Sequence, residues 1–162
     1  MNHILRDATE PPPAIEATPR GQGRRDGRGE GRGQGRLILD LRAGESLMVN
    51  GAELVMRSRG SVMLCNRARF LFGRQVLDPA DATTPARRLY LALQLAYAGE
   101  DAARPAHAAE ARRLAETQLE TRGPRGCALL HALLAELALD RVREALSLAR
   151  ELFAEDDAPD AA

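Results

Sequence analysis

Six arginines, Arg42, Arg57, Arg59, Arg67, Arg69 and Arg74, fall between residues 37 and 77 against three acids, and Arg87 and Arg88 follow as an adjacent pair. A guanidinium stays charged at any working pH, grips phosphate through two parallel N–H donors and stacks on flat rings. The chemistry on offer is therefore recognition of anions and bases. Lysine is absent, all 23 basic residues being arginine. A GC-rich coding sequence accounts for that bias, but its chemical consequence stands either way. The two-residue period of an extended chain sets Arg67 and Arg69 on one face, and Arg57 and Arg59 flank Ser58 at a turn. A basic sheet surface of this kind holds RNA through phosphate contacts and guanidinium stacking. Arg87 and Arg88 stand in the first turn of a predicted helix, where the positive end of the helix dipole disfavours them. They call for a compensating anion, either an internal acid such as Asp81 or an RNA phosphate.

The other reactive side chains form no constellation. His3, His107 and His131 have no second ligand at helical spacing. Cys65 and Cys127 lack metal spacing and read as buried thiols in a reducing compartment. Gly-x-Gly occurs only in the first 36 residues, away from any strand-to-helix junction, and no phosphate-loop motif exists. Asp156-Asp157 reads as a solvated acidic end. We expect no enzyme, no metal and no cofactor; the expected work is binding.

The elements that must carry the arginines follow from pattern. Residues 1–36, with Pro11-Pro12-Pro13 and a Gly/Arg alternation, predict a disordered tail with nothing apolar to bury. Arginine-glycine tracts bind RNA without sequence preference, although this one lacks aromatic residues for stacking. Residues 37–78 predict a β-rich subdomain. Leu37–Leu41 is a first strand, Asn50-Gly51 a two-residue hairpin turn with both positions at positive φ, and Val62–Cys65 and Arg69–Phe72 further strands. Residues 79–155 predict a helical subdomain. Thr84 is a suitable N-cap and Pro85 a suitable first residue for a helix running to Gly99, with Leu89, Leu93, Ala96 and Tyr97 on its inner stripe. Tyr90 and Tyr97 read as core residues with satisfied hydroxyls. Three more helices are expected over about 105–121, 127–137 and 141–153, the last capped by Asp140. Residues 156–162 are expected to fray. The fold class is α+β: a small antiparallel sheet or open barrel, then a three- to four-helix bundle, behind a disordered N-terminal tail.

Thr84-Pro85-Ala86-Arg87-Arg88-Leu89-Tyr90, with Gln94-Leu95 and Tyr97 after it, resembles the flagellum biosynthesis repressor FlbT family. Leu39-x-Leu41-Arg42-x-Gly44-Glu45 and Val49-Asn50-Gly51-Ala52 are similar to that family's opening hairpin, and Glu144–Leu152 to its closing helix. The run Leu37–Val49 also resembles, in shape, the opening of the carbon storage regulator family of small mRNA-binding proteins. The FlbT resemblance implies a post-transcriptional regulator that associates with the 5′ untranslated leader of flagellin mRNA, lowers its translation and promotes its decay. In some members the effect is positive, so the resemblance leaves the sign open.

Composition sets limits on this. In a chain of 162 residues with 3% aromatic residues and no Trp, the core must be built from Leu, Ala, Val and Met. Net charge is zero, yet residues 78–162 carry ten Arg against fifteen acids. A basic front and an acidic back point to two different partners. An alternative function follows: the acidic helical half acts as a protein-interaction module for flagellin or a small helical flagellar regulator, with RNA effects indirect. A second copy of the chain is a further candidate partner. The N-terminus is too charged for a signal peptide and no apolar run approaches a membrane span, so no membrane partner and a cytoplasmic location are expected.

Overall fold

The computed structural model describes residues 36–157. The Gly/Arg tract up to residue 35 and residues 158–162 lie outside the described residues, and so do the expectations placed on them. Five strands, β1 (Leu37–Leu41), β2 (Ser46–Val49), β3 (Ala52–Val55), β4 (Gly60–Leu64) and β5 (Phe70–Phe72), precede five helices. These are α1 (Pro85–Ala98), α2 (Arg104–Leu119), α3 (Pro124–Ala138), α4 (Val142–Glu151) and the short α5 (Phe153–Asp156). The expected α+β class, with antiparallel sheet first and helices second, is the class observed.

β1 pairs with β4, and β2 with both β3 and β5, all antiparallel. The first two pairings are one ribbon. The offset that sets Leu37 opposite Leu64 and Leu41 opposite Gly60 also sets Ser46 opposite Val55 and Val49 opposite Ala52. Between the two arms the ladder breaks over residues 42–45 and 56–59, four on each side. The break is bridged by Gly44 N–H to the Met56 carbonyl at 2.7 Å and Met56 N–H to the Glu45 carbonyl at 3.0 Å. The ribbon ends in Asn50 (φ 49°) and Gly51 (φ 87°), the doubly left-handed turn that matches strand twist. The tip is seated on the end of α1, where Gly51 N–H donates to the Ala98 carbonyl at 2.7 Å. A Cβ at position 51 would stand 2.8 Å from the Glu100 nitrogen, so only glycine fits.

α1 packs on α2 and α4, and α3 packs on both of those, which closes a four-helix ring. Ala86, Ala96, Ala111, Ala115, Ala145 and Ala149 are buried where helices approach closely, and Leu89, Leu93, Leu130, Leu133, Leu146 and Leu152 fill the space between. Met48 and Leu71 reach this core from the sheet. A smaller core lies inside the ribbon: Leu39, Leu41 and Leu47, with Val62, Phe70 and Phe72 against them.

α1 keeps its sequence-derived bounds because its start is doubly specified. Thr84 Oγ1 accepts from Arg87 N–H at 3.3 Å, and Pro85 opens the helix. Gly99 ends it in extended backbone, not in the left-handed cap that a terminal glycine suggests. Two other signals invert. Pro124 begins α3 and does not stop α2, which already ends at Leu119. Asp140 takes φ 57° after α3 and gives α4 no side-chain cap, the N-cap there being Arg141.

Candidate nucleic-acid interface

No arginine among the eight sequence candidates lies within a strand. Arg42 and Arg57 and Arg59 occupy the two sides of the ribbon break, where the ribbon's offset sets Arg42 opposite Arg59. Arg67 and Arg69 stand in the loop before β5, so their expected strand face does not exist; Arg74 is in the 3-10 turn Gly73–Gln75 just after β5. All six are exposed, and none takes part in an ion pair among the described residues. The helical half differs. There Arg87, Arg104, Arg113, Arg122, Arg125 and Arg141 all face a carboxylate within 4 Å. Glu45 lies within the ribbon break, and its carboxylate accepts from the Arg42 backbone N–H at 2.7 Å.

Arg87 and Arg88 part company. Arg87 pairs with Asp157 at 3.1 Å and lies over the Phe153 ring, its guanidinium carbon 5.5 Å from the centroid. The compensating acid is thus Asp157, seventy positions away, and not the nearby Asp81. Arg88 is exposed and lines a cavity of about 610 Å³ between α1 and α2, with Leu91, Leu95 and Leu114 also in its lining.

The start of α1 holds more charge than its sequence neighbours suggest. Asp156 is not a solvated end: its side chain is 10% exposed and Oδ2 accepts from Ala86 N–H at 2.9 Å. Oδ1 meets Arg122 at 2.5 Å, and the Thr84 hydroxyl also bonds to this carboxylate. Burial pushes the Asp156 carboxyl up, but the Thr84 and Ala86 hydrogen bonds and the Arg122 charge outweigh it and hold it below the ordinary range. Arg122 in turn reaches Gln118 Oε1 at 3.0 Å, whose amide donates to the Pro85 carbonyl at 3.0 Å. The polar residues of the recognised helix motif are likewise structural. Gln94, 1% exposed, accepts from Leu77 N–H at 2.7 Å and donates to the Leu77 carbonyl at 3.0 Å. Tyr90 donates to the Gln75 carbonyl at 2.6 Å, and burial raises its phenol above the ordinary value despite the Arg150 charge nearby.

Sequence reasoning missed the place where sheet and bundle meet. Two adjoining cavities, of about 470 and 250 Å³, lie along α4 and share Tyr97 and Arg143 in their linings. The larger brings Arg69 from the sheet half to Arg104, Arg141 and Arg143 of the bundle, with Asp101, Asp140 and Glu144 among them. The smaller is lined by Phe70, Phe72, Tyr97, Arg143 and Arg150 and by no carboxylate. Arg143 and Arg150 are seven apart, two turns along one helical face; that spacing is the signal the sequence held. Cys65, directly after β4, is exposed and Cys127 is half-buried, so the expectation of two buried thiols fails for Cys65 and is met only in part for Cys127. Among the described residues no group of His, Cys, Asp and Glu is placed to hold a metal, and no helix is long and apolar enough to cross a membrane.

Comparison with known proteins places this arrangement. The family model described as flagellar protein FlbT matches residues 37–158. Proteins named probable flagellum biosynthesis repressor protein FlbT from Brucella ovis, Brucella anthropi and Brucella suis are each 49% identical over 57 residues, 35% of this chain and 38% of theirs. These alignments thus span well under half the length of the curated relatives. No solved structure matches. The family match runs from the first residue of the ribbon through Asp156 and Asp157, whose carboxylates meet the start of α1, so it takes in ribbon and bundle together, and the chain belongs to the FlbT family.

Proposed function

We propose that this protein regulates flagellin synthesis after transcription, by associating with the 5′ untranslated leader of flagellin mRNA, repressing translation and promoting decay of the message. The observation that carries the reading is the contrast between the halves. Among the described residues, the six arginines of the sheet half form no ion pair, whereas six of the bundle's ten do. Unpaired cations gathered on one half repel one another and gain most from a polyanion. Relatives bear the name of flagellum biosynthesis repressor, and the leader of a flagellin message is the polyanion consistent with that name. Arg42, Arg57, Arg59, Arg67, Arg69 and Arg74 supply the phosphate contacts, with Arg88 as an outlying one; Arg87 is committed to Asp157.

The test is a gel-shift titration of the purified chain with the flagellin leader and with a scrambled leader, repeated as salt rises. The expected result is tighter binding to the authentic leader, with affinity falling steeply and log-linearly with salt. Absence of binding at low salt would overturn the reading. A second reading has its own observation: the α1–α2 cavity, with Leu91, Leu95 and Leu114 beside Arg88 and Arg113, is suited to a helix from flagellin or a small flagellar regulator. Co-purification unaffected by nuclease, lost in Leu91→Glu, would favour it.

A further inference from the structure

We infer that the cavity between β5 and α4 holds one unpaired nucleotide of the bound RNA, and so gives the protein a preference for single strands over duplex. The inference rests on the RNA-binding reading and adds to it where, and in what form, the RNA is read.

The smaller cavity combines the two things a flipped-out base needs. Its lining includes Phe70, Phe72 and Tyr97, all half-buried, with Phe70 and Phe72 packed on one side against the ribbon core and Tyr97 against the bundle core. Its charges are Arg143 and Arg150 alone. Base stacking on aromatic rings is tolerant of sequence, and guanidinium groups beside it take the flanking phosphates. At about 250 Å³ the space lies below the range of pockets for drug-sized ligands, roughly 300–1,000 Å³, and suits a single base. A duplex keeps its bases stacked inside and presents only edges and phosphates, so it gains nothing from this cavity.

The two guanidinium groups are prepared differently. Arg150 donates to the Arg74 carbonyl and lies over the Tyr90 ring, 5.7 Å from its centroid, which fixes the head before any ligand arrives. Arg143 is exposed, has no ion pair among the described residues, and lines both cavities. From there it leads to Arg69, on the wall of the larger cavity. Phosphates on either side of an inserted base would meet Arg143 and then Arg69. The acids of the larger cavity mark the limit of the track: Asp101 is tied to Arg104 at 2.8 Å, and Glu144 and Asp140 disfavour phosphate beyond that point. Only one base is therefore read here, while the arginines at the ribbon break contact phosphate without regard to pairing.

The test compares a fluorescein-labelled 20-nucleotide single strand from the flagellin leader with the same strand annealed to its complement, using the full chain. The parent should bind the single strand at least tenfold more tightly. Phe72→Leu and, separately, Arg143→Gln should reduce that preference by about fivefold or more, and Arg143→Gln should also flatten the single-strand salt slope by about 0.7. The double variant Arg57→Gln, Arg59→Gln should weaken both probes equally and keep the preference. Arg143 is exposed, so its variant tests the site without risk to the fold. A preference unchanged in Arg143→Gln, or a parent that binds both probes alike, overturns the inference and leaves RNA binding standing. A parent that binds neither probe refutes the underlying reading as well.

Discussion

Replacing Asp156 with Ala should destabilise the bundle from a position that looks like a loose end. Two losses contribute. The first turn of α1 loses an acceptor for Ala86 N–H, 2.9 Å away, and removal of such a cap costs about 1 kcal/mol. Arg122, 10% exposed, loses its 2.5 Å partner. Breaking a buried pair costs about 3–5 kcal/mol when the orphaned charge has nothing else. Here Glu155 remains at 3.6 Å and Gln118 at 3.0 Å, which reduces that cost to about 1–2 kcal/mol by the same reasoning. The sum is about 2–3 kcal/mol. A domain of this size unfolds with an entropy of about 0.25 kcal/mol/K, so Tm should fall by about 8–12 °C in calorimetry or a CD melt. Asp156→Asn retains the acceptor and loses the charge, so its drop should be about half as large. Acid supplies an independent reading. The folded carboxyl titrates below its ordinary value, so its stabilisation is complete above the ordinary carboxylate pKa of about 3.9 and is lost as pH falls through the lower, folded value. The Tm gap between parent and Asp156→Asn should therefore close on acidification below that range. A drop under about 2 °C for Asp156→Ala at neutral pH, or a gap that widens in acid, would refute the reasoning.

Three other expectations are independent of that seal. Gly51→Ala must hold an alanine at φ 87° and move the Glu100 backbone, so it should cost at least about 1–2 kcal/mol and expose the ribbon tip to faster hydrogen exchange. Gln94→Leu leaves both backbone groups of Leu77 without their partner, at about 2–3 kcal/mol, and should release residues 76–77 in proteolysis before the bundle melts. With a thiol reagent, Cys65 should react at once in the native protein and Cys127, half-buried and bonded to the Arg122 carbonyl at 3.2 Å, only on unfolding. Equal native rates would place both thiols in the same environment.

What could be read before folding was whatever neighbours in sequence decide. Thr84-Pro85 starts α1 and Asn50-Gly51 turns the ribbon because each needs only local backbone geometry, and both are where the residues predict. Of the stripe Leu89, Leu93, Ala96 and Tyr97, the first three are buried as its period requires and Tyr97 is half-buried. Signals with two local meanings failed. Gly123-Pro124 reads as the stop of one helix but opens the next, α2 having already ended at Leu119, and an aspartate next to a helix either caps it or, as Asp140 does, terminates the previous one. Contacts closed over long separations were out of reach altogether. Asp157 lies seventy residues from Arg87, and the cavity shared by Phe72, Tyr97 and Arg143 exists only when β5 and α4 are brought together. The arginines were legible as a set, but their division into free and paired was not, since that depends on which carboxylates the fold delivers.

The ribbon's unbroken offset has an evolutionary consequence. Because residues 42–45 and 56–59 contribute four residues each to the break, the outer arm and the tip arm share one register across an interval with no regular ladder. A single inserted residue on either side would turn every side chain of the outer arm to the opposite face, taking Leu39 and Leu41 out of their core. Two residues inserted on each side would keep both the pairing and the faces and only carry the outer arm further from the bundle, because the tip stays anchored at Ala98. Length variation among relatives should thus come in balanced pairs at this break, making it the position where the family's basic surface is free to change reach without changing fold.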